Sequence, residues 1–287
     1  MGSLFDTLND ARTRLEAAGA RPAEAAIDVD VYARAILGWD KATLLAHQRH
    51  ATPEWLEPRF SEWIARRQRR EPTAYILRGR EFWGREFVVT PAVLVPRPET
   101  EFVVDESLPL VRHIDAPRIA DIGTGSGILA VTLALELPTS MLVATDVSAD
   151  ALEVARENAA RHGVGHRVRF VETSYLDAVD DRFHLIVANP PYVKDGDKPA
   201  LSADVGHEPH VALFGGPDGL RDVAGVLAAA SAVLEPQGWL VMEFGYGQEP
   251  DVRRLVGTRA ELRLEHVRDD LQGIPRTAVI QKIANSQ

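Results

Sequence analysis

Three groups of residues have types and spacings that can do chemistry: Gly123-Thr124-Gly125-Ser126-Gly127, Asp146, and Asn189-Pro190-Pro191-Tyr192. The last follows the apolar run Phe183–Ala188, which reads as a buried strand, so an amide, two rigid imino acids and an aromatic stand where that strand should end. In open α/β sheets ligands bind beyond the carboxyl ends of the strands, which suits this place for chemistry. Asn-Pro-Pro also serves simply to stop a strand. Taken alone, the stretch fits both readings.

The glycine loop follows a second short apolar run, Ile119-Ala120-Asp121-Ile122, and precedes a helical one. Bare glycines there let a ligand approach the backbone, and the helix N-terminus attracts negative charge. The dinucleotide fingerprint G-x-G-x-x-G would need its third glycine where this chain has Ile128, and no Gly-Lys-Ser/Thr ending marks a triphosphate loop. Asp146, at the end of the next strand, can accept both hydroxyls of a ribose. A ligand with a ribose and a carboxylate but no pyrophosphate fits, and S-adenosylmethionine meets that description. Gly123, Thr124, Gly125, Ser126, Gly127 and Asp146 are then its candidate contacts, with Asn189 beside them. Tyr175, just past the third strand, is placed for the adenine, or alternatively for ordinary core packing.

The elements that must position these groups form an ordinary soluble composition: 287 residues, 45% hydrophobic and 26% charged, which suggests about two domains. A formal net charge of −10 argues against a surface built to coat nucleic acid. Absence of cysteine excludes disulfides and thiolate chemistry and points to a reducing cytoplasm. No apolar run approaches the roughly 20 residues of a membrane helix, and the first residues lack a signal-peptide pattern.

Up to about residue 74 the pattern is helical: Leu4, Phe5, Leu8, Ala11, Leu15 and Ala18 share one face, Gly19 and Pro22 break it, and helices resume over 31–37, 41–50 and 54–70. Thr52 is the expected N-cap of the last, with Pro53 at its first position. Residues 1–75 hold eleven basic and eleven acidic side chains, so the negative excess lies beyond them. Their one charge cluster, Arg66-Arg67-Gln68-Arg69-Arg70, reads either as a solvated helix end favoured by the helix dipole or as a docking surface for an anionic partner. Residues 75–95 contain two β-like runs around Gly84, a hairpin joining the domains. Pro96-Arg97-Pro98-Glu99-Thr100-Glu101 is a stiff loop opening a helix, whose two carboxylates and guanidinium can also line a pocket. From Arg118 strands and helices alternate over 96–287, the pattern of an α/β, doubly wound, Rossmann-like sheet of seven strands. The last two, 262–267 and 277–282, are joined by a short loop and should pair antiparallel.

The glycine loop, Asp146 and Asn189-Pro190-Pro191-Tyr192, in this order, resemble class I S-adenosylmethionine-dependent methyltransferases acting on planar, conjugated amino nitrogens. Phe82-Trp83-Gly84, Val95-Pro96-Arg97-Pro98-Glu99-Thr100-Glu101, Glu208-Pro209 and Asp218-Gly219-Leu220 resemble more closely the bacterial release factor glutamine methyltransferases, over nearly the whole length. The sister family that methylates a glutamine of a large-subunit ribosomal protein usually reads Pro-Arg-Ser-Pro where this chain has Pro96-Arg97-Pro98-Glu99. Ser174 departs from the resemblance: relatives commonly carry an aspartate there, toward the adenine amino group, and a hydroxyl or water is expected to substitute.

The resemblance implies a methyltransferase domain over 96–287, a hairpin linker over 75–95 and a helical substrate-recognition domain over 1–74. It implies a methyl acceptor in the Gly-Gly-Gln tip of class I peptide chain release factors; composition and charge add the expectation of a cytoplasmic protein without a membrane or direct nucleic-acid partner, and methyl transfer from a sulfonium needs no metal. The Asn189 side-chain oxygen and the Pro190 carbonyl would each accept one N–H of the substrate amide, and Pro191 and Tyr192 would pack on it. His184, His207 and His210 are expected to be structural. Two rivals stand beside this reading: a methyltransferase of an exocyclic base nitrogen, which would need basic tracking surfaces, and a non-enzymatic adaptor retaining the fold.

Overall fold

A computed structural model describes residues 2–283. Its contacts divide them into two units, one running to Gly79 together with Ser202–His207, the other comprising Arg80–Leu201 and the residues from Glu208 onward. The six residues 202–207 are a feature no division into consecutive stretches contains.

The first unit is helical. α1 (Leu4–Ala17) opens on a reciprocal capping box between Ser3 and Asp6 and buries Leu4, Leu8, Ala11 and Leu15. α2 (Pro22–Leu37) begins nine residues before the sequence reading starts it. Pro22 occupies the first helical turn, where its missing N–H costs nothing, so it opens this helix instead of only ending the last. α3 spans Lys41–His47, α4 Glu57–Gln68 and α5 Thr73–Leu77. Thr52 does not cap α4: Ala51 bridges Ser3, and Thr52 bonds the Gly2 carbonyl through its N–H and Thr7 through its hydroxyl. With those groups engaged, α4 starts later, with Pro58 in its first turn.

The arginine cluster matches neither sequence reading in full. Arg66 and Arg67 do lie in the last turn of α4, yet Arg67 is only 4% exposed. It donates to Asp28 at 2.6 Å, to Asp204 at 2.8 Å and to Glu24, while Arg70 reaches Asp204 at 2.7 Å and Arg66 reaches Glu71 at 2.6 Å. Three of the four cations are therefore consumed within the unit, and Asp204 fastens the segment 202–207 to the helices.

In the second unit, β1 (Arg80–Phe82) and β2 (Arg85–Phe87) form a hairpin whose turn residues Trp83 and Gly84 both have positive φ, 53° and 66°. Such a turn matches the twist of the strands it joins. After a 3₁₀ turn at Pro98–Thr100 come α6 (Glu101–Val111), β3 (Arg118–Ile122), α7 (Ile128–Glu136), β4 (Met141–Asp146), α8 (Ala149–Arg161), β5 (Val168–Glu172) and β6 (Phe183–Ala188). α9 (Arg221–Val233), β7 (Leu234–Glu243), α10 (Glu249–Gly257), β8 (Leu262–Asp269) and β9 (Pro275–Lys282) complete it.

The seven strands lie in the order β5-β4-β3-β6-β7-β9-β8. The first five are parallel; β9 runs antiparallel to both β7 and β8, as the short final loop requires. One apolar layer gathers α6, α7 and Ala159 of α8 on one face of the sheet, and a second gathers α9 and α10 on the other. α7 is buried from Ile128 through Ala134, the all-round apolarity of a helix without a solvent face.

Candidate active site

The topology reverses at β3: the chain proceeds to β4 and β5 on one side and later to β6 and β7 on the other, which opens a crevice between β3 and β6. Ile122 pairs with Thr145 of β4 and with Ala188 of β6. The next residue on each of the three adjacent strands is Gly123, Asp146 and Asn189, so strand register alone brings the three groups to one level.

A cavity opens there, bordered by Gly123, Thr124, Gly125, Ser126, Asp146, Tyr175, Asn189, Pro190 and Pro191 together with Pro96, Arg97 and Thr100. Two residues singled out from sequence do not border it. Gly127 is the N-cap of α7 with φ of 80°, and a Cβ on it would lie 3.0 Å from that of Ala155, so it serves close packing of α7 on α8. Tyr192 turns its hydroxyl away, to Glu243.

The glycine loop is held from beneath. Asp121 accepts at one oxygen from the Thr124 hydroxyl at 2.6 Å and from the Ala130 N–H at 3.1 Å, capping a helix whose own N-cap has no side chain. Its other oxygen is buried with no hydrogen-bond partner among the described residues. Burial, with some help from the charge of Asp146, raises its pKa to about 7. Asp146 accepts from the Gly125 N–H at 2.9 Å and the Ser148 N–H at 3.0 Å, and burial raises its pKa as well. Asn158 satisfies three groups at once, bonding both backbone atoms of Val88 and the Ser126 carbonyl, and so ties the hairpin's exit to the loop.

These residues fit S-adenosylmethionine. Gly123 and Gly125 have positive φ, and nothing lies within 4 Å of where a Cβ would stand on either, so a ligand can meet the backbone. Asp146 accepts one hydrogen bond at each oxygen and keeps free lone pairs for a ribose.

The acceptor end is ordered by two buried residues that the sequence reading did not single out for this task. Thr100 and Glu243 are each 1% exposed. The Thr100 hydroxyl donates to Glu243 at 2.7 Å, and the Tyr192 hydroxyl donates to the other Glu243 oxygen at 3.1 Å. With its only proton given away, Thr100 can accept alone, so Asn189 must turn its NH2 toward it, at 3.0 Å. The Asn189 carbonyl oxygen is thereby left for another donor. Burial raises the pKa of both Glu243 and Tyr192. Gln248 anchors the same strand end, donating to the carbonyls of Tyr192 and Gly219 and accepting from the Gly245 N–H.

The proline loop is clamped by Glu208, which accepts from the Val95 N–H at 3.0 Å and from Arg97 at 2.6 Å. Of the loop's charged side chains, Arg97 borders the cavity; Glu101 instead accepts from the Trp83 N–H in the hairpin turn. The histidines have structural partners: His184 accepts from the Arg118 N–H, His207 donates to the Arg69 carbonyl, and His210 packs edge-on to Phe214. Glu208-Pro209 and the loop that contains Thr100 stand out as motifs in the sequence; nothing local marks Glu243.

Comparison with known proteins agrees with this geometry. Residues 104–208 match the methyltransferase small domain family and residues 6–77 the PrmC N-terminal domain family. The release factor glutamine methyltransferase of Bradyrhizobium diazoefficiens is 41% identical over 264 residues, covering 91% of this chain and 89% of its own. That of Bordetella pertussis is 41% identical, covering 87% and 92%. Among solved structures, a methyltransferase from Pyrococcus furiosus is similar at a TM-score of 0.52 and 18% identity, over 71% of this chain and 91% of its own. The hMettl16 catalytic domain, solved with an RNA hairpin, is similar at 0.58 and 14% identity, over 80% and 83%. These two share the fold. At 41% identity over most of both chains, this chain belongs to the release factor glutamine methyltransferase family.

Proposed function

We propose that this protein transfers the methyl group of S-adenosylmethionine to the side-chain amide nitrogen of the glutamine in the Gly-Gly-Gln motif of class I peptide chain release factors. The observation that carries the reading is the forced orientation of Asn189, whose carbonyl oxygen is left free by the Thr100–Glu243 pair. The bound cofactor supplies a methyl group already activated by its sulfonium. What remains is to hold a poor nucleophile, since an amide lone pair is delocalised into its carbonyl.

Asn189 Oδ1 accepts one N–H of the substrate amide and the Pro190 carbonyl accepts the other, which fixes the nitrogen and favours positive charge on it as the N–C bond forms. Three hydrogen bonds, by way of Asn189 and Thr100, connect that nitrogen to the buried Glu243. The nitrogen then releases one proton to solvent and keeps the other. The helical unit supplies recognition of the release factor, and the cytoplasm is the compartment where these substrates are met. Among the described residues no helix is long and apolar enough to cross a membrane.

Incubating the protein and methyl-labelled cofactor with a release factor and, separately, the large-subunit ribosomal protein and RNA tests the reading. Label should enter the release factor; label confined to ribosomal protein or RNA would overturn it.

A further inference from the structure

Two carboxylates border the cavity, Asp146 and Asp222. Asp146 belongs to the glycine-loop side, through Gly125 and Ser148. Asp222 comes from the first turn of α9 and shares a face with Val226, one turn on, which borders the same cavity. Its carboxylate is fixed at both oxygens: the Tyr175 hydroxyl donates to one at 2.9 Å and Arg221 to the other at 2.8 Å. Arg221 is itself braced by the Phe214 carbonyl.

Several local departures serve this arrangement. Tyr175 has φ of 47°, uncommon for an aromatic, and its carbonyl is held by the Thr145 hydroxyl at 2.6 Å. Its ring crosses α9 at Gly225, where a Cβ would lie 2.1 Å from the ring carbon bearing the hydroxyl. A glycine inside a helix is unfavourable without a reason; here it admits the tyrosine that holds Asp222. Burial first, and then the bond to Asp222, push the Tyr175 hydroxyl up to about 12, so it remains a donor at neutral pH.

A carboxylate accepting one bond at each oxygen keeps further lone pairs for a ligand. Adenine offers one strong donor group, its exocyclic NH2, and Ser174 beside Tyr175 carries no charge to receive it. We infer that Asp222 accepts a hydrogen bond from the exocyclic amino group of the cofactor's adenine and thereby selects an amino purine over its oxo analogue. The acid missing at Ser174 is thus supplied from α9, where a hydroxyl or water was expected to stand in. The oxo analogue would set acceptor against acceptor.

The inference rests on the cavity binding S-adenosylmethionine and is independent of the glutamine acceptor. Its test is calorimetric binding, without any acceptor protein, of S-adenosylhomocysteine and S-inosylhomocysteine. Wild type should bind the adenosyl compound at least about tenfold tighter, the scale of a hydrogen bond to a charged group. Asp222→Ala should reduce that preference to within about threefold. Asp222→Asn preserves shape and can turn its NH2 to the oxo group, so its preference should fall or reverse even if the alanine variant folds poorly. Adding Ser174→Asp to Asp222→Ala should restore the preference. Adenosyl-to-inosyl ratios unchanged in both single variants would overturn the inference.

Discussion

Asn189 is identified by the company its amide keeps: Thr100 takes the NH2, so the oxygen faces the substrate. Asn189→Ala should lower the turnover number by about a hundredfold, the scale lost with one oriented polar group at a reacting centre, while calorimetric cofactor affinity stays within about twofold. A near-wild-type rate would remove Asn189 from the mechanism. Glu243→Gln is nearly isosteric, yet its NH2 disturbs the donor order through Thr100 and Asn189. Turnover should fall by about tenfold with little change in cofactor KM. Asp121 gives a pH signature. Its folded pKa of about 7 lies above its unfolded value, so between roughly pH 4 and 7 the native state holds the extra proton and stability falls as pH rises. Melting curves of the ligand-free protein should show that decline shrink in Asp121→Asn. Asn189, Asp146 and the glycine loop were legible because each sits beside an apolar strand with an unusual local pattern. Thr100 and Glu243 are 143 residues apart and acquire meaning only when α6 and β7 meet the end of β6.

At the level of elements, alternation of strands and helices carries the parallel sheet, and loop length carries the antiparallel end. Helix starts were harder. Pro22 opens α2, and the hydrogen bonds that withdraw Thr52 from capping reach back to Thr7 and Gly2, beyond any local window. α10, with Pro250 in its first turn, lies in a stretch where no element was expected. The Arg66–Arg70 cluster misleads most, since charge patterning cannot show that Arg67 has Asp28, Glu24 and Asp204 around it. Arg67→Ala leaves the buried Asp28 without its cation, while the part-exposed Glu24 and Asp204 keep Arg70. It should destabilise the helical unit by about 3 kcal/mol, read as a lowered denaturation midpoint. A midpoint within error of wild type would mean the network contributes nothing.

For the whole molecule, charge and division of labour follow from the same residues. The helical stretch is neutral over 1–75, and the excess of ten negative charges lies with the methyltransferase unit. A surface of that sign does not release counterions from RNA, so filter binding across salt should show weak association without a steep dependence on ionic strength. The chain also sends Ser202–His207, from the loop that follows Tyr192, to the helical unit. The Asp204 pairs within that unit are not readable from sequence, because an aspartate in a polar loop resembles any other. The central claim is transfer to one glutamine amide, held by Asn189 and the Pro190 carbonyl. It is tested most directly by labelling a release factor and its Gly-Gly-Ala variant with methyl-labelled cofactor. Label on the wild-type factor alone is the expected result; equal label on both would contradict the account.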